Sequence, residues 1–258
     1  MQNNIFSTLF VGQNLIKLSE VDSTNNFLKL LVSNSEPLPE GTVIMADNQF
    51  AGRGQQGSVW HAEPGMNLTF SLYLKPAFLK ITEQFFLNML ISITLHDTLV
   101  KFLGPSLKIK WPNDIYYNDQ KMGGILIENT VAGNRYKSVI IGIGINVNQK
   151  KFDTKLLTSA ISMFQILQQD VNLSALLGEI CGNIESRYLK LRSGKYTNLR
   201  AEYISCLYKW NEPAYYRSKE QIIEGQILDV TDQGLLVVLT KGKKHLYNFK
   251  EIEFLNGK

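Results

Sequence analysis

Cysteine is almost missing: Cys181 and Cys206 are the only two in 258 residues. Two thiols so placed make neither a disulfide framework nor a metal-ligand spacing, and a reducing, cytoplasmic setting is expected. An excess of one charge is missing too. Lys and Arg number 27 against 23 Asp and Glu, a net of +4, and they are dispersed, so there is no basic footprint for nucleic acid. A long apolar run is missing as well. The most apolar stretch, 85–103, is interrupted by Asn88, His96 and Asp97, which disfavours a membrane span. The first ten residues, MQNNIFSTLF, lack a basic segment followed by an apolar one, so no signal peptide is expected. Neither an internal repeat nor a low-complexity tract occurs. What remains is a chain long enough for one substantial core and a small satellite domain.

The stretch around which the chain is organised is 108–128. Lys108-Ile109-Lys110 alternates as a strand, and Pro112 removes a ladder donor and pushes Trp111 into an extended conformation. Asn113 and Asp114 are turn formers, Asn118-Asp119-Gln120 is a second turn signal, and Ile125-Leu126-Ile127 resumes a sheet. Gly123-Gly124 weakens that strand and marks a bulge or the close approach of a ligand. Lys121 stands two residues before the pair, a cation beside bare backbone, suited to an anionic ligand. The same residues equally fit a surface hairpin with a solvated lysine.

Upstream, 14–21 reads as a strand, and Asp22-Ser23-Thr24 are caps for a helix carrying Phe27, Leu28, Leu31 and Val32. Residues 42–46 form a short strand leading to Asp47-Asn48-Gln49. Residues 51–60, AGRGQQGSVW, hold three glycines whose backbone can present N–H groups to an anion, with Arg53 offering a bidentate fork. The loop is no P-loop, since Gly-Lys-Ser/Thr is missing, nor does it carry the dinucleotide fingerprint. Residues 67–75 alternate cleanly as a half-buried strand, and 82–103 read as the principal core helix, on which His96 is expected to be structural.

Downstream, Gly133-Asn134 signals a hairpin that pairs 122–130 with 136–148. Gly142 and Gly144 leave one face of the latter strand bare, and Asn146 continues that face. A ligand trough or tight helix packing would account for it equally well. Helices are expected over 173–191 and 198–208. At Trp210 the character changes to short alternating strands over 214–217, 221–230, 234–240 and 245–249, the pattern of a small antiparallel barrel.

In combination these stretches resemble the biotin–protein ligases over nearly the whole chain. The resemblance lies in Glu20-Val21-Asp22-Ser23-Thr24-Asn25, in Gln49 with Ala51-Gly52-Arg53-Gly54 and Trp60, and in Lys110-Trp111-Pro112-Asn113-Asp114. It continues in Lys121-Met122-Gly123-Gly124-Ile125-Leu126-Ile127-Glu128 and Gly142-Ile143-Gly144-Ile145-Asn146. It implies an α+β fold, with a mixed-sheet catalytic domain of the biotin/lipoate ligase type over 1–208 and an SH3-like β-barrel over 209–258. It implies activation of biotin with ATP to biotinyl-5′-AMP and transfer to a lysine of a biotin carrier domain of a biotin-dependent carboxylase.

The resemblance also implies roles. Lys121 and Arg53 would be catalytic. Ser23, Thr24, Asn25, Gln49, Gly52, Arg53, Gly54, Gln55, Lys121, Gly123 and Gly124 would hold biotin. Arg53, Trp60, Asn113, Lys121 and Asn146 would meet the nucleotide, and Asp114 or Asn113 would help hold Mg²⁺. Two departures stand out. Only a dozen residues precede the first strand, so the DNA-binding domain of some family members, and with it a repressor role, is not expected. Gln55-Gln56 stand where the family's loop is usually rich in arginine, which puts its grip on the intermediate in question. A lipoate or octanoate transferase of the same fold is the second reading, although no Arg-Arg-x-Ser-Gly-Gly-Gly segment occurs. A non-catalytic biotin-binding module is the third. A homodimer is left open.

Overall fold

The computed structural model describes residues 6–34, 37–153 and 159–255. The chain opens with β1 (Leu15–Val21), α1 (Thr24–Ser33) and β2 (Val43–Gln49), a crossover that makes β1 and β2 parallel. Then come β3 (Leu68–Leu74), α2 (Gln84–Leu103), β4 (Leu107–Lys110), β5 (Asp114–Tyr117), β6 (Gln120–Ala132) and β7 (Arg135–Ile145). These strands form a seven-stranded sheet in the order β1-β2-β3-β7-β6-β5-β4, antiparallel beyond its first pair and therefore mixed.

Helices α3 (Met163–Leu167), α4 (Leu173–Arg192) and α5 (Leu199–Ser205) follow. α2 packs against α4 and α5 on one side and against β4, β5 and β6 on the other. It is buried nearly all round, as a helix caught between two layers must be. The segment Ile81–Leu103 is long and apolar enough to cross a bilayer, but most of it is buried in this core. α1 lies on the opposite face of the sheet. Its Leu28 joins Ile44, Tyr73 and Ile140 in a small second cluster. That short helix covers only part of its face. Over the glycines of β6 and β7 no further helix packs among the described residues, and the site lies there, under Asn25 and Trp60.

The strand positions match expectation closely, but β2 runs on to Gln49, α5 stops at Ser205, and β3 is buried at every residue rather than half-buried, because it lies inside the sheet between β2 and β7. α3 was not expected, because five residues are too few for a period. What marks it is a capping box, in which the Ser162 hydroxyl accepts from the Gln165 amide and the Gln165 side chain from the Ser162 amide.

Strands β8 (Pro213–Ser218), β9 (Gln221–Val230), β10 (Leu236–Thr240), β11 (Lys243–Tyr247) and β12 (Glu253–Phe254) make a second, antiparallel sheet in the order β11-β10-β9-β8-β12, the small C-terminal SH3-like module. Trp111 fastens it to the larger sheet. Its Nε1 donates to the Gly234 carbonyl at 3.0 Å and its ring meets Phe249 edge-on.

Candidate active site

The turn between β4 and β5 is pinned from both sides. The Pro112 carbonyl accepts from Asn88 Nδ2 at 2.6 Å and from the Tyr203 hydroxyl at 2.7 Å, and the Asn113 amide donates to the Ile125 carbonyl. This fixes Asp114 at the start of β5, opposite Gly124 on β6. Between these strands the register slips by one residue: Tyr116 faces Lys121, while Ile115 faces Gly123. Such a bulge re-aims the side chain at its edge. Here it turns Lys121 over Gly124 and brings its Nζ 2.8 Å from Asp114 Oδ1.

The bulge separates the two glycines. A Cβ on Gly124 would meet Asp114 Oδ1 at 3.2 Å and Lys121 Nζ at 3.4 Å. A Cβ on Gly123 would instead strike the Gly144 carbonyl at 2.8 Å and approach Ile145 and Ile115 on the core side. Gly123 therefore faces away from the cavity, contrary to its expected place beside biotin. The bare face of β7 is present, but it is already covered. Asn25 sits over Gly142, whose added Cβ would lie 2.5 Å from Asn25 Oδ1, and the Trp60 indole sits over Gly144.

At the mouth of α1 the caps are not only caps. Ser23 occupies the N-cap position without a capping hydrogen bond from its side chain, and it lines the cavity. The Thr24 amide and hydroxyl donate to Gln49 Oε1 at 2.8 and 3.0 Å. The Ser71 hydroxyl on β3 lies 2.7 Å from Thr24 Oγ1 and donates to Asn25 Oδ1 at 2.6 Å. Asn25 Nδ2 in turn donates to Glu128 Oε2 at 2.8 Å.

Residues 50–60 fold into a small flap. Arg53 and Val59 bridge, Gly54 N donates to Ser58 O at 2.7 Å, and Trp60 N donates to Gly52 O at 2.9 Å. Gly52 is absent from the cavity wall. A Cβ there would run into the Trp60 carbonyl, so glycine lets the two arms of the flap close. Gln55 lines the cavity beside Gly54, Arg53 and Ser58.

Arg53 does not point freely into the cavity. Its Nη2 lies 2.6 Å from Glu128 Oε2, and Lys29 Nζ lies 2.5 Å from the other oxygen. Burial pushes the Glu128 carboxyl up, but hydrogen bonds from Lys29, Asn25 and Arg53 outweigh it and hold it below its ordinary value. Glu128 thus ties α1, the flap and β6 together. Each site cation is held by its own carboxylate: Arg53 by Glu128, Lys121 by Asp114.

Asn146 lies outside the cavity wall. Its Nδ2 reaches the Ile161 carbonyl at 3.2 Å and the Lys121 carbonyl at 3.5 Å, so it braces the backbone of Lys121 rather than facing a nucleotide. Its Oδ1 and Trp60 Nε1 are buried with no hydrogen-bond partner among the described residues. The remaining expected residues, Ser23, Thr24, Asn25, Gln49, Asn113 and Asp114 with Lys121 and Gly124, line the same cavity as Arg53, Gly54, Gln55 and Trp60. Thr69, Ser71, Glu128 and Phe249 were not foreseen. Glu128 closes a matched motif but nothing in the chain marked its partners, and Phe249 comes from the second sheet.

With Trp60 seated the cavity encloses about 150 Å³. Sites for organic ligands typically span about 300–1,000 Å³, so the flap must lift to admit one. If the flap then closes again over the bound ligand, limited proteolysis within 52–58 is expected to slow several-fold when biotin and ATP are added. Equal rates in both conditions would rule out closure of the flap over ligand.

Residues 18–146 match the model of the biotin/lipoate A/B protein ligase family. Over 245 residues, 93% of this chain and 74% of the relative, the chain is 33% identical to the bifunctional ligase/repressor BirA of Bacillus spizizenii. It belongs to this family. It is also 36% identical to the biotin–[acetyl-CoA-carboxylase] ligase of Paracoccus denitrificans, over half of this chain and 53% of that relative. The biotin protein ligase from Aquifex aeolicus in complex with biotin and ATP superposes on 95% of this family member and 99% of its own chain, with a TM-score of 0.79 and 25% identity.

Proposed function

We infer that the chain is a biotin–protein ligase that activates biotin with ATP and transfers it to a biotin carrier protein. The observation that carries this reading is one cavity with two kinds of wall. A neutral polar cluster of Ser23, Thr24, Asn25 and Gln49 lies against Arg53 and Lys121. The first suits a ureido ring, which offers both donors and an acceptor. The second suits a carboxylate meeting a phosphate, which a neutral ligand alone would not need. Between them Gly124 and Gly144, paired across β6 and β7, leave backbone against which an aliphatic chain can lie once Trp60 lifts.

In the first step a biotin carboxylate oxygen attacks the α-phosphorus of ATP, and pyrophosphate leaves. Lys121, steadied by Asp114 and by the braced backbone at Asn146, neutralises the charge that builds on the α-phosphoryl oxygens. Arg53 gains freedom to reach the same group when the flap lifts to admit ligand and its pairing with Glu128 is exchanged for an anion. In the second step a carrier lysine amine attacks the mixed anhydride carbonyl and AMP leaves. Mg²⁺ would neutralise the triphosphate. Asp114 borders the cavity, and a single carboxylate suits a magnesium ion that keeps phosphate and water as its other ligands. Asn113, whose amide is engaged by the Ile125 carbonyl, serves the turn instead. We place this activity in the cytoplasm.

Incubation with biotin, ATP, Mg²⁺ and a carrier domain tests the reading by pyrophosphate release and carrier mass. Labelling with lipoate but not biotin would move the chain to the lipoate side of its family. Binding of biotin without pyrophosphate release would make it a binding module.

Gln55 supplies a further prediction. A neutral side chain holds phosphate less firmly than a charged one, by about 1 kcal/mol, or roughly fivefold in residence time. Gln55→Arg is therefore expected to slow dissociation of preformed biotinyl-AMP about fivefold and to lower labelling of bystander lysines. An unchanged off-rate would show that Gln55 is not a weak point in the grip.

A further inference from the structure

His96, Asp97 and Cys206 come together where α2 meets the end of α5, away from the cavity described above. One ligating atom from each lies within 4.8 Å of the others. The arrangement is ordered. His96 Nδ1 lies 2.9 Å from Asp97 Oδ1, and the other carboxylate oxygen is engaged by Arg187 Nη2. The Cys206 sulfur lies within 4.8 Å of a nitrogen of the same ring. Burial would push the imidazole down, but the hydrogen bond to Asp97 and the influence of Asp97 and Cys206 beside it outweigh burial and raise it to about 9. The Asp97 carboxyl, pushed up by burial, is held below its ordinary value by the His96 hydrogen bond and by Arg187. At neutral pH the ring is thus an imidazolium between a carboxylate and a sulfur.

A cysteine, a histidine within 4.8 Å of its sulfur and a carboxylate that orients the ring make the arrangement that can activate a thiol. Cys206 is half-buried and can be reached, while Cys181 is fully buried, its thiol pushed up to about 12 by burial and by Glu185. The surroundings also give an adduct a route inward. The Cys206 carbonyl accepts from Ile109 N at 2.9 Å, the Ile109 carbonyl accepts from Tyr208 N at 2.8 Å, and β4 runs directly into the Trp111–Asp114 turn. Tyr203, one turn back on α5, donates to the Pro112 carbonyl.

We propose that Cys206 is a modification site, a His96-activated thiol that exchanges with small disulfides and whose adduct is felt through β4 at the catalytic turn. In the step, Cys206 sulfur attacks one sulfur of a low-molecular-weight disulfide. A new Cys206–S–S–R bond forms, the R–S–S–R bond breaks, and RS⁻ leaves. The thiol proton goes to solvent, Cys206 is oxidised and the departing RS is reduced. Asp97 keeps the ring oriented throughout, so it is a positioning residue. Metal binding by the same cluster is less well served, because Asp97 already occupies one ring nitrogen on one side and Arg187 on the other.

The test is to expose the full chain to glutathione disulfide and to follow each cysteine by peptide mass. Cys206 is expected to take up glutathione at least tenfold faster than in His96→Asn, with Cys181 unmodified and the adduct removed by dithiothreitol. Asp97→Asn, should His96→Asn fail to fold, is expected to slow the reaction several-fold. A Cys206 rate indifferent to both substitutions would overturn the assignment. So would one equivalent of Co²⁺, added alone, giving a thiolate charge-transfer band lost in Cys206→Ser, since that would make the cluster a metal site. The coupling is read separately, and this arm alone rests on the ligase reading. Biotin-dependent pyrophosphate release should fall several-fold in the modified chain, recover with dithiothreitol, and be insensitive to glutathione disulfide in Cys206→Ser. Full modification with unchanged release would overturn the coupling.

Discussion

Lys121→Ala is expected to lower biotin-dependent pyrophosphate release roughly 100- to 1,000-fold, about 3–4 kcal/mol, the usual cost of losing one preorganised group from the transition state of a group transfer. The side chain is part-exposed and, among the described residues, its one ion pair is to Asp114, so folding has little to lose with it. The melting transition should therefore stay nearly in place while the rate collapses. Lys121→Arg separates charge from geometry. Arginine keeps the charge but is longer and planar, so it should recover only part of the rate if the ammonium must sit over Gly124. Release at the wild-type rate from folded Lys121→Ala would remove Lys121 from the chemistry.

Gly142→Val carries the second large effect, and it acts by space alone. The first atom of any side chain there would lie 2.5 Å from Asn25 Oδ1 and 3.0 Å from its Cγ. Asn25 cannot simply step aside, because it is buried and shares hydrogen bonds with Ser71 and Glu128. Forcing side-chain atoms into a packed site costs about 1–3 kcal/mol. The displaced Asn25 would also loosen Glu128 and, through it, Arg53. Biotin affinity by calorimetry is expected to fall at least tenfold, with a smaller loss of thermal stability. Unchanged affinity would mean that biotin does not lie against this part of β7.

The two experiments probe parts of the site that differ in how far the chain announces them. The glycines at 142 and 144, the turn formers at 113 and 114 and the flap with Arg53 could all be read in order, because each depends on local backbone chemistry. A residue that must be small, or that must turn, shows it by its own type. Alternation along β3 and β7 and the change of pattern near Trp210 were legible for the same reason. Strand and turn signals repeat over a few residues and need no distant partner.

Partners and faces were not legible. Simple alternation sets Lys121 with Gly123, yet the bulge between Ile115 and Tyr116 sets it with Gly124 and leaves Gly123 in the core. A bulge is decided by how two strands pair, which no single strand contains. Asn146 has the right type and parity for a ligand contact, but its amide is used by the carbonyls of Lys121 and Ile161. Glu128 gathers Lys29, Asn25 and Arg53 from positions 99, 103 and 75 residues away along the chain. Phe249 and Gly234 reach the site and Trp111 from a separate sheet. What the sequence determined by itself was the set of residue types and local bends that this chemistry requires. Which of them face the cavity, and which carboxylate holds which cation, was decided only when burial and strand pairing brought distant positions into contact.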